Sequence, residues 1–147
     1  MFAESTFGGN PLCVFESGDG LGTDEMQALA LQFNLSETTF ILPSERATAR
    51  VRIFTPTFEM PFAGHPTLGT AHVVRELFNA GDDISLEMKA GVIPVSADGS
   101  RWTLSANPPV FRLSKEAGNC GPAYQPVFFG PQYRARLGHN RYFAPFG

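Results

Sequence analysis

Two short segments contain residue types suited to proton chemistry. Glu37 precedes an apolar run rich in β-branched residues, and the loop 61–66 joins an apolar strand to a helix that we predict to begin at Pro66. Gly64 and His65 lie at that junction, where a helix N-terminus presents backbone N–H groups and favours a bound anion. A carboxylate held there would bring its neighbouring C–H bond close to a base, and Glu37 is the candidate. The alternative is that the loop only forms a tight turn before a helix.

Moving a proton on carbon sets requirements that these residues can meet. The base needs a pKa near the working pH, so burial would have to raise that of Glu37 from about 4.3. The negative charge that develops needs donors, which the helix-terminal N–H groups and His65 can supply. The chemistry requires no metal and no cluster of Cys and His offers one, so we expect neither metal nor cofactor. Structural roles stay open: Glu37 as a solvated residue at a strand start, and His65 as a helix cap.

Composition narrows the function classes. The chain has 147 residues, is 43% hydrophobic and carries a net charge of −3 without any basic run, which argues against nucleic-acid binding. No segment approaches the length of a transmembrane helix and the first residues lack a signal-peptide pattern, so we expect no membrane association and a cytoplasmic location. Cys13 and Cys120 are too few for a disulfide framework or a zinc site, and Cys13 is expected to be a small core residue.

Hydrophobic periodicity predicts two helices of different character. The first, capped by Thr23, repeats apolar residues at helical spacing, so one of its faces should pack on a core: Met26, Leu29, Ala30 and Phe33. The second, from Pro66 to about Phe78, is apolar on nearly every side, which indicates a helix buried inside a core. Its apolar residues are Leu68, Ala71, Val73, Val74, Leu77 and Phe78. The run 79–81, Asn-Ala-Gly, is a fitting C-terminal stop.

About seven strands are predicted around these helices. In one of them Ala49, Val51 and Ile53 alternate with Arg50, Arg52 and Phe54, the period of a half-buried strand, and Asp98-Gly99 between alternating runs predicts a hairpin. The other strand segments are 12–15, 38–42, 84–88, 92–96 and 101–105. A buried helix among many strands indicates an α+β fold, a curved, mostly antiparallel sheet wrapped round one central helix. Residues 1–110 would form this domain, and 111–147 a linker or tail rich in Gly, Pro and aromatic residues.

The order and spacing of several motifs resemble the phenazine-biosynthesis PhzF-like family. The motifs lie at 7–11, 34–40, 52–56 and 61–67, with Glu59 before the last. The resemblance implies a fold like that of diaminopimelate epimerase, with two similar halves, each a sheet curled round a central helix, and an active site in the cleft between them. It also implies a cofactor-independent isomerase or epimerase that transfers a proton on a small carboxylate substrate. In the phenazine enzyme that substrate is a dihydro-hydroxyanthranilate-type ring.

Carried over by position, the resemblance makes Glu37 the catalytic glutamate. Gly64 and His65 match the family's Gly-His pair at the cleft, with His65 catalytic and Gly64 binding substrate. Asn10 matches a loop residue that lines the same region, although it can equally be a turn former. His72 on the buried helix and Glu59 near the loop are expected to be structural.

The chain departs from the family in length. Family members are roughly twice as long, and their second half carries an Asp-Pro-x-Thr-Gly-Ser-type loop facing the glutamate. The pattern Arg-x-Phe-x-Pro at 52–56 recurs at 141–145, which resembles the strand before that loop, and the chain ends there. We therefore expect a truncated chain with impaired isomerase activity, and a homodimer that buries exposed apolar surface. The alternatives are a non-catalytic relative that binds a small carboxylate or only self-associates, and a remnant that binds nothing.

Overall fold

The computed structural model describes residues 9–106 and the backbone of a strand at 133–136. Within these residues one eight-stranded sheet and two helices form the predicted α+β fold. The elements, in chain order, are β1 (Leu12–Phe15), α1 (Thr23–Phe33), β2 (Glu37–Leu42), β3 (Ala49–Phe54), β4 (Glu59–Met60), α2 (Gly64–Leu77), β5 (Asp83–Met88), β6 (Gly91–Asp98), β7 (Arg101–Leu104) and β8 (Tyr133–Arg136). The proposed repeat at 141–145 lies outside the described residues, so it and the domain boundary near 110 stay predictions.

The sheet is mixed, with most neighbours antiparallel. Its order is β1-β2-β3-β5-β6-β7-β8, and β4 pairs with the end of β3. The β1–β2 and β3–β5 pairs are parallel, and the remaining pairs are antiparallel. The register pairs of β3 with β5 are Ala49 with Leu86 and Arg50 with Glu87. We call this narrow junction the β3–β5 seam, and α2 is part of the connection that crosses it.

The helix α2 packs in the concavity of the sheet, as predicted. Leu68, Ala71 and Val74 are 0% exposed and contact apolar side chains from β2, β3, β5, β6 and β7. The prediction that the helix is buried along its whole length is wrong at its C-terminal end, where Leu77 is 42% and Phe78 50% exposed. These residues extend beyond the curved sheet, which covers mainly the first three turns.

The first helix covers part of the opposite face of the sheet. Met26 and Ala30 pack there against Phe40 and Phe54. The predicted half-buried strand 49–54 is buried on both sides at its end, because α1 covers the face that Phe54 shares with Arg50 and Arg52, and Phe54 is 0% exposed. Two core clusters therefore lie on the two sides of one sheet.

Both helices start one or two residues away from their predicted positions. Gly22, rather than Thr23, is the N-cap of α1, and its N–H donates to Oε2 of Glu25 at 2.7 Å. The helix α2 begins at Gly64, not at Pro66. Proline is tolerated anywhere in the first turn, because the N–H groups there have no partner within the helix, so Pro66 does not mark the first helical residue. The predicted stop after α2 is confirmed, with Asn79 in the left-handed region at φ 48°. Neither described helix is long and apolar enough to cross a membrane.

Candidate functional site

The fold brings Glu37 and His65 together. Glu37 is the first residue of β2, and His65 is the second residue of α2, which follows an extended N-cap at Ala63. Nε2 of His65 lies 3.3 Å from Oε2 of Glu37. Both side chains are largely buried, with 12% of His65 and 18% of Glu37 exposed. Two residues distant in sequence thus meet where a strand begins and a helix begins.

Burial shifts the pKa values of this pair in opposite directions. It raises the pKa of Glu37, and a hydrogen bond from the Ser36 side chain opposes that shift. Burial lowers the pKa of His65. Both shifts disfavour a full glutamate–imidazolium ion pair. They favour a carboxyl group that can gain and lose a proton beside an imidazole that stays neutral.

The start of α2 supplies donors beside this pair. The N–H groups of Gly64 and His65 belong to the first turn and point out of the helix N-terminus, while Pro66 has no N–H to contribute. The N–H of Thr67 is the first to bond within the helix, to the Ala63 carbonyl at 3.2 Å. Gly64 and His65 thus lie at the positive end of α2, a position that can hold a carboxylate.

Asn10 lies at the same end of the sheet. Leu12 pairs with Glu37 in the parallel β1–β2 ladder, and Asn10 comes two residues before it. Its side chain is exposed. This position suits a residue that lines a ligand site, and it suits a turn former equally well, so its role stays a prediction.

Two buried threonines fix α2 against the strand of Glu37. Oγ1 of Thr70 donates to Oγ1 of Thr39 at 2.9 Å, and Thr39 donates to the carbonyl of Cys13 at 3.4 Å. Thr39 and Thr70 are both 0% exposed. Sequence reasoning missed this contact, although Thr39 follows Glu37 by two positions and so shares its face of the strand. The bond joins α2 to β2 close to the candidate site.

Glu59 occupies a charged network on the side of the sheet that α1 covers. Its two carboxylate oxygens accept from Nε and Nη2 of Arg52 at 2.8 and 2.7 Å, and Nζ of Lys89 lies 2.6 Å from Oε2. The Arg52 hydrogen bond outweighs burial and lowers the pKa of Glu59, so this carboxylate stays ionised. The structure thus gives Glu59 the ion-pair partners of a structural residue. Arg52 was missed as its partner, although both residues lie in motifs on either side of one tight hairpin.

His72 and Cys13 make contacts other than the Glu37–His65 contact. His72 is half-buried on α2, with its ring edge-on to Trp102 at 5.7 Å between ring centres. Cys13 is half-buried on β1, and burial raises the pKa of its thiol. Within residues 9–106, no group of three or more His, Cys, Asp and Glu side chains has the arrangement of a metal site.

Comparisons with known proteins agree on one family. The sequence profile described as phenazine biosynthesis-like protein (PhzC-PhzF) matches residues 1–120. An uncharacterized isomerase of Pasteurella multocida is 48% identical over 95 residues, which cover 63% of this chain and 33% of the relative. The trans-2,3-dihydro-3-hydroxyanthranilate isomerase of Pseudomonas aeruginosa is 44% identical over 98 residues, which cover 66% of this chain and 35% of that enzyme. The chain thus spans about a third of the length of these relatives.

Solved structures show the same relationship. A PhzF-family protein of Bacillus anthracis matches with a TM-score of 0.65 and 33% identity over 71% of this chain and 37% of its own. A PhzF-family protein of Enterococcus faecalis matches with a TM-score of 0.65 and 30% identity over 75% of this chain and 45% of its own. Family profile, relatives and fold therefore agree, and this chain belongs to the phenazine biosynthesis-like (PhzC-PhzF) family, whose named enzymes here are isomerases.

Proposed function

We propose that this chain carries the glutamate-bearing part of a cofactor-independent isomerase that moves a proton on a small carboxylate substrate. The observation that carries the proposal is the 3.3 Å contact between His65 Nε2 and Glu37 Oε2 at the start of a buried helix. A raised carboxyl pKa suits a group that must both accept and release a proton. A second carboxylate of similar burial, Glu59, is occupied by Arg52 and Lys89 and does not compete for this role.

The proposed reaction needs only groups of this site and the substrate. Glu37 as a carboxylate takes a proton from carbon, and the electron pair left behind moves into the adjacent unsaturated system. The protonated Glu37 then returns the proton to another carbon, so the reaction is balanced without oxidant or reductant. His65 and the N–H of Gly64 donate to the charge that develops. A neutral imidazole is suited to this step, because it can donate one N–H hydrogen bond without carrying a positive charge itself.

The substrate class follows from the donors at the helix end. The positive end of α2, at Gly64 and His65, favours a carboxylate. Relatives from Pseudomonas are named trans-2,3-dihydro-3-hydroxyanthranilate isomerase, and that substrate carries a carboxylate beside an unsaturated ring. It is the first substrate to test, followed by amino acids with an acidic α C–H bond.

The matched segment covers only about a third of each of these relatives, so turnover by this chain is itself part of the proposal. A site with contacts from one side loses positioning, and positioning contributes about 7–11 kcal/mol to well-oriented reactions. We therefore expect slow turnover in the isolated chain. A homodimer that supplies contacts from a second copy and a cytoplasmic location both stay predictions.

The test is deuterium incorporation from heavy water into the substrate, followed by proton NMR. We expect exchange with the purified chain that Glu37→Gln abolishes and His65→Asn reduces. Glu76→Gln is the matched control, because Glu76 is an exposed carboxylate on the same helix.

Calorimetric titration with the same compound separates the alternatives. Binding without exchange supports the non-catalytic, carboxylate-binding reading and contradicts the isomerase. Neither binding nor exchange contradicts both.

A further inference from the structure

Glu59 is held more tightly than any role in its own short strand requires. Its carboxylate accepts three charged hydrogen bonds, two in a bidentate arrangement from Arg52 and one from Lys89. Its side chain is 9% exposed and that of Arg52 15%. Bidentate pairs fix orientation as well as distance, because both planar groups must face each other. The carboxylate therefore has one position relative to β3.

The same network reaches the helix on the outer face. Nη2 of Arg52 also donates to Oγ1 of Thr23 at 3.0 Å, in the first turn of α1. The guanidinium carbon lies 5.0 Å from the centre of the Phe54 ring. Arg52 is thus fixed by α1 and β3 before it contacts Glu59, and it provides a rigid support.

The position of β4 explains what the support is for. β4 has two residues, and only 61–63 separate it from α2. Lys89 and Ala90 form the turn between β5 and β6, and the N–H of Ala90 donates to the carbonyl of Pro61 at 3.2 Å. One turn therefore holds the side chain of Glu59 and the backbone of the loop that follows it. Two backbone ladder pairs alone would leave this loop weakly determined.

We propose that Glu59 is a positioning residue for His65. Its ion pairs with Arg52 and Lys89 fix β4, and β4 sets where α2 begins and hence the distance from His65 Nε2 to Glu37 Oε2. The inference deepens the function proposed above, since it concerns the same pair of side chains. It gives Glu59 no contact with substrate and no proton to move.

The test compares Glu59→Gln with wild type by the titration of the His65 imidazole in NMR spectra. Glutamine keeps the volume but turns an NH₂ group toward Arg52 or Lys89, which weakens the support. We expect the pKa of His65 to rise toward its ordinary value as the loop loosens and the ring gains solvent. The other titratable or charged groups around this region are Glu37 on β2, Arg52 on β3 and Lys89 in the β5–β6 turn. The NMR resonance of the His65 imidazole is identified by its loss in His65→Asn.

A matched control separates positioning from general stability. Val95→Ala truncates a buried residue of β6 that belongs to the core cluster around α2, on the opposite face of the sheet from Arg52 and Glu59. We expect it to lower stability without moving the His65 titration. Where deuterium exchange is measurable, Glu59→Gln should lower kcat by about 10- to 100-fold with a smaller change in KM, as a misplacement of about 1 Å does.

The proposal is overturned if Glu59→Gln lowers stability as Val95→Ala does and leaves the His65 titration unchanged. If Glu59→Gln does not fold, Arg52→Lys and Lys89→Met decide, because both keep Glu59. We expect Arg52→Lys to shift the pKa of His65 more than Lys89→Met does. If neither variant shifts it, the proposal is contradicted. The His65 titration can be measured without turnover. If the wild-type chain shows no deuterium exchange, the proposed isomerase is contradicted, and the titration still tests the role of Glu59.

Discussion

Glu37 and Glu59 are both largely buried carboxylates, and their surroundings act on them in opposite directions. Glu37 lies beside a neutral imidazole, and burial raises its pKa. Glu59 lies between a guanidinium and an ammonium group, and these hold its pKa below the ordinary value. The first environment favours the protonated form of the carboxyl group, as suits a group that gains and loses a proton. The second makes it a permanent charge that fixes a loop.

The difference shows how one residue type supports two roles in one small domain. Desolvation without a nearby cation favours the protonated form, whereas a bidentate cation outweighs desolvation. The two sites lie on opposite faces of the sheet and are connected by the loop 61–63. The permanent charge of Glu59 can therefore hold the backbone that presents His65 to Glu37, without itself contacting Glu37.

The largest expected effect is the loss of proton transfer when Glu37, the carboxylate with the raised pKa, is replaced. Glu37→Gln should reduce deuterium exchange by about 10²- to 10⁴-fold, because a general base has been removed. The fold should be retained, since glutamine removes a desolvated charge. Circular dichroism and exchange rates measured on the same preparation check both statements. Full activity in this variant would show that another group moves the proton.

The next effect is on stability and concerns the other carboxylate. Arg52→Ala should lower the free energy of unfolding by about 3 kcal/mol, because it leaves the Glu59 charge buried with only an exposed lysine. Lys89→Ala should cost about 1 kcal/mol or less, since Lys89 is 56% exposed. Urea denaturation of both variants measures the two losses. Equal losses would contradict the view that the buried Arg52 pair dominates the network.

A smaller effect is expected from an uncharged contact near Glu37, the Thr39–Thr70 hydrogen bond. Thr70→Val removes the hydrogen bond to Thr39 and should cost about 1 kcal/mol. Thr103→Val on β7 is the control, since that position is only half-buried and faces away from α2. Denaturant unfolding gives both values. No loss in Thr70→Val would mean that packing alone holds α2 against β2.

The last prediction concerns pH and gives the two carboxylates opposite slopes. The contribution of Glu37 is fully present below its ordinary pKa of 4.5 and is lost as the pH rises through its higher folded value. That of Glu59 is present above 4.5 and is lost as the pH falls through its lower folded value. Relative to wild type, Glu37→Gln should therefore gain stability with rising pH, and Glu59→Gln should lose it. Urea titrations across this range measure both slopes, and parallel slopes would contradict the assignment.

Much of the fold could be predicted because the chain's patterns are local. The strands 12–15 and 49–54 were predicted with the bounds that the structure has, since turn residues flank alternating runs. The Asp98-Gly99 hairpin was also correct, with Gly99 at φ 59°. The burial of Phe54 was missed because alternation in one strand does not reveal that a helix covers its other face.

Sequence reasoning named the candidate site residues but missed the contacts that hold them in place. Sequence reasoning singled out Glu37 and the Gly64-His65 junction before a helix, with that helix placed two residues late, and in the structure His65 Nε2 lies 3.3 Å from Glu37 Oε2. The Arg52–Glu59 pair was missed because its recognition requires hairpin register, in which Phe54 opposes Glu59. The Thr39–Thr70 bond depends on how a helix lies on a strand, which no local pattern contains.

The β3–β5 seam has a consequence for how the molecule opens. Its backbone ladder consists of two residue pairs, supplemented by the N–H of Thr48, which donates to the Ser85 carbonyl at 3.0 Å. The strands β1–β3 on one side and β5–β8 on the other are each joined by longer ladders. Amide hydrogens at the seam should therefore exchange with solvent through sub-global opening. The helix α2 spans both sides and limits this opening. His65 lies on this helix, and Lys89, in the β5–β6 turn, pairs with Glu59 on the other side of the seam. Protection from exchange at the seam would therefore report how rigidly the candidate site is assembled.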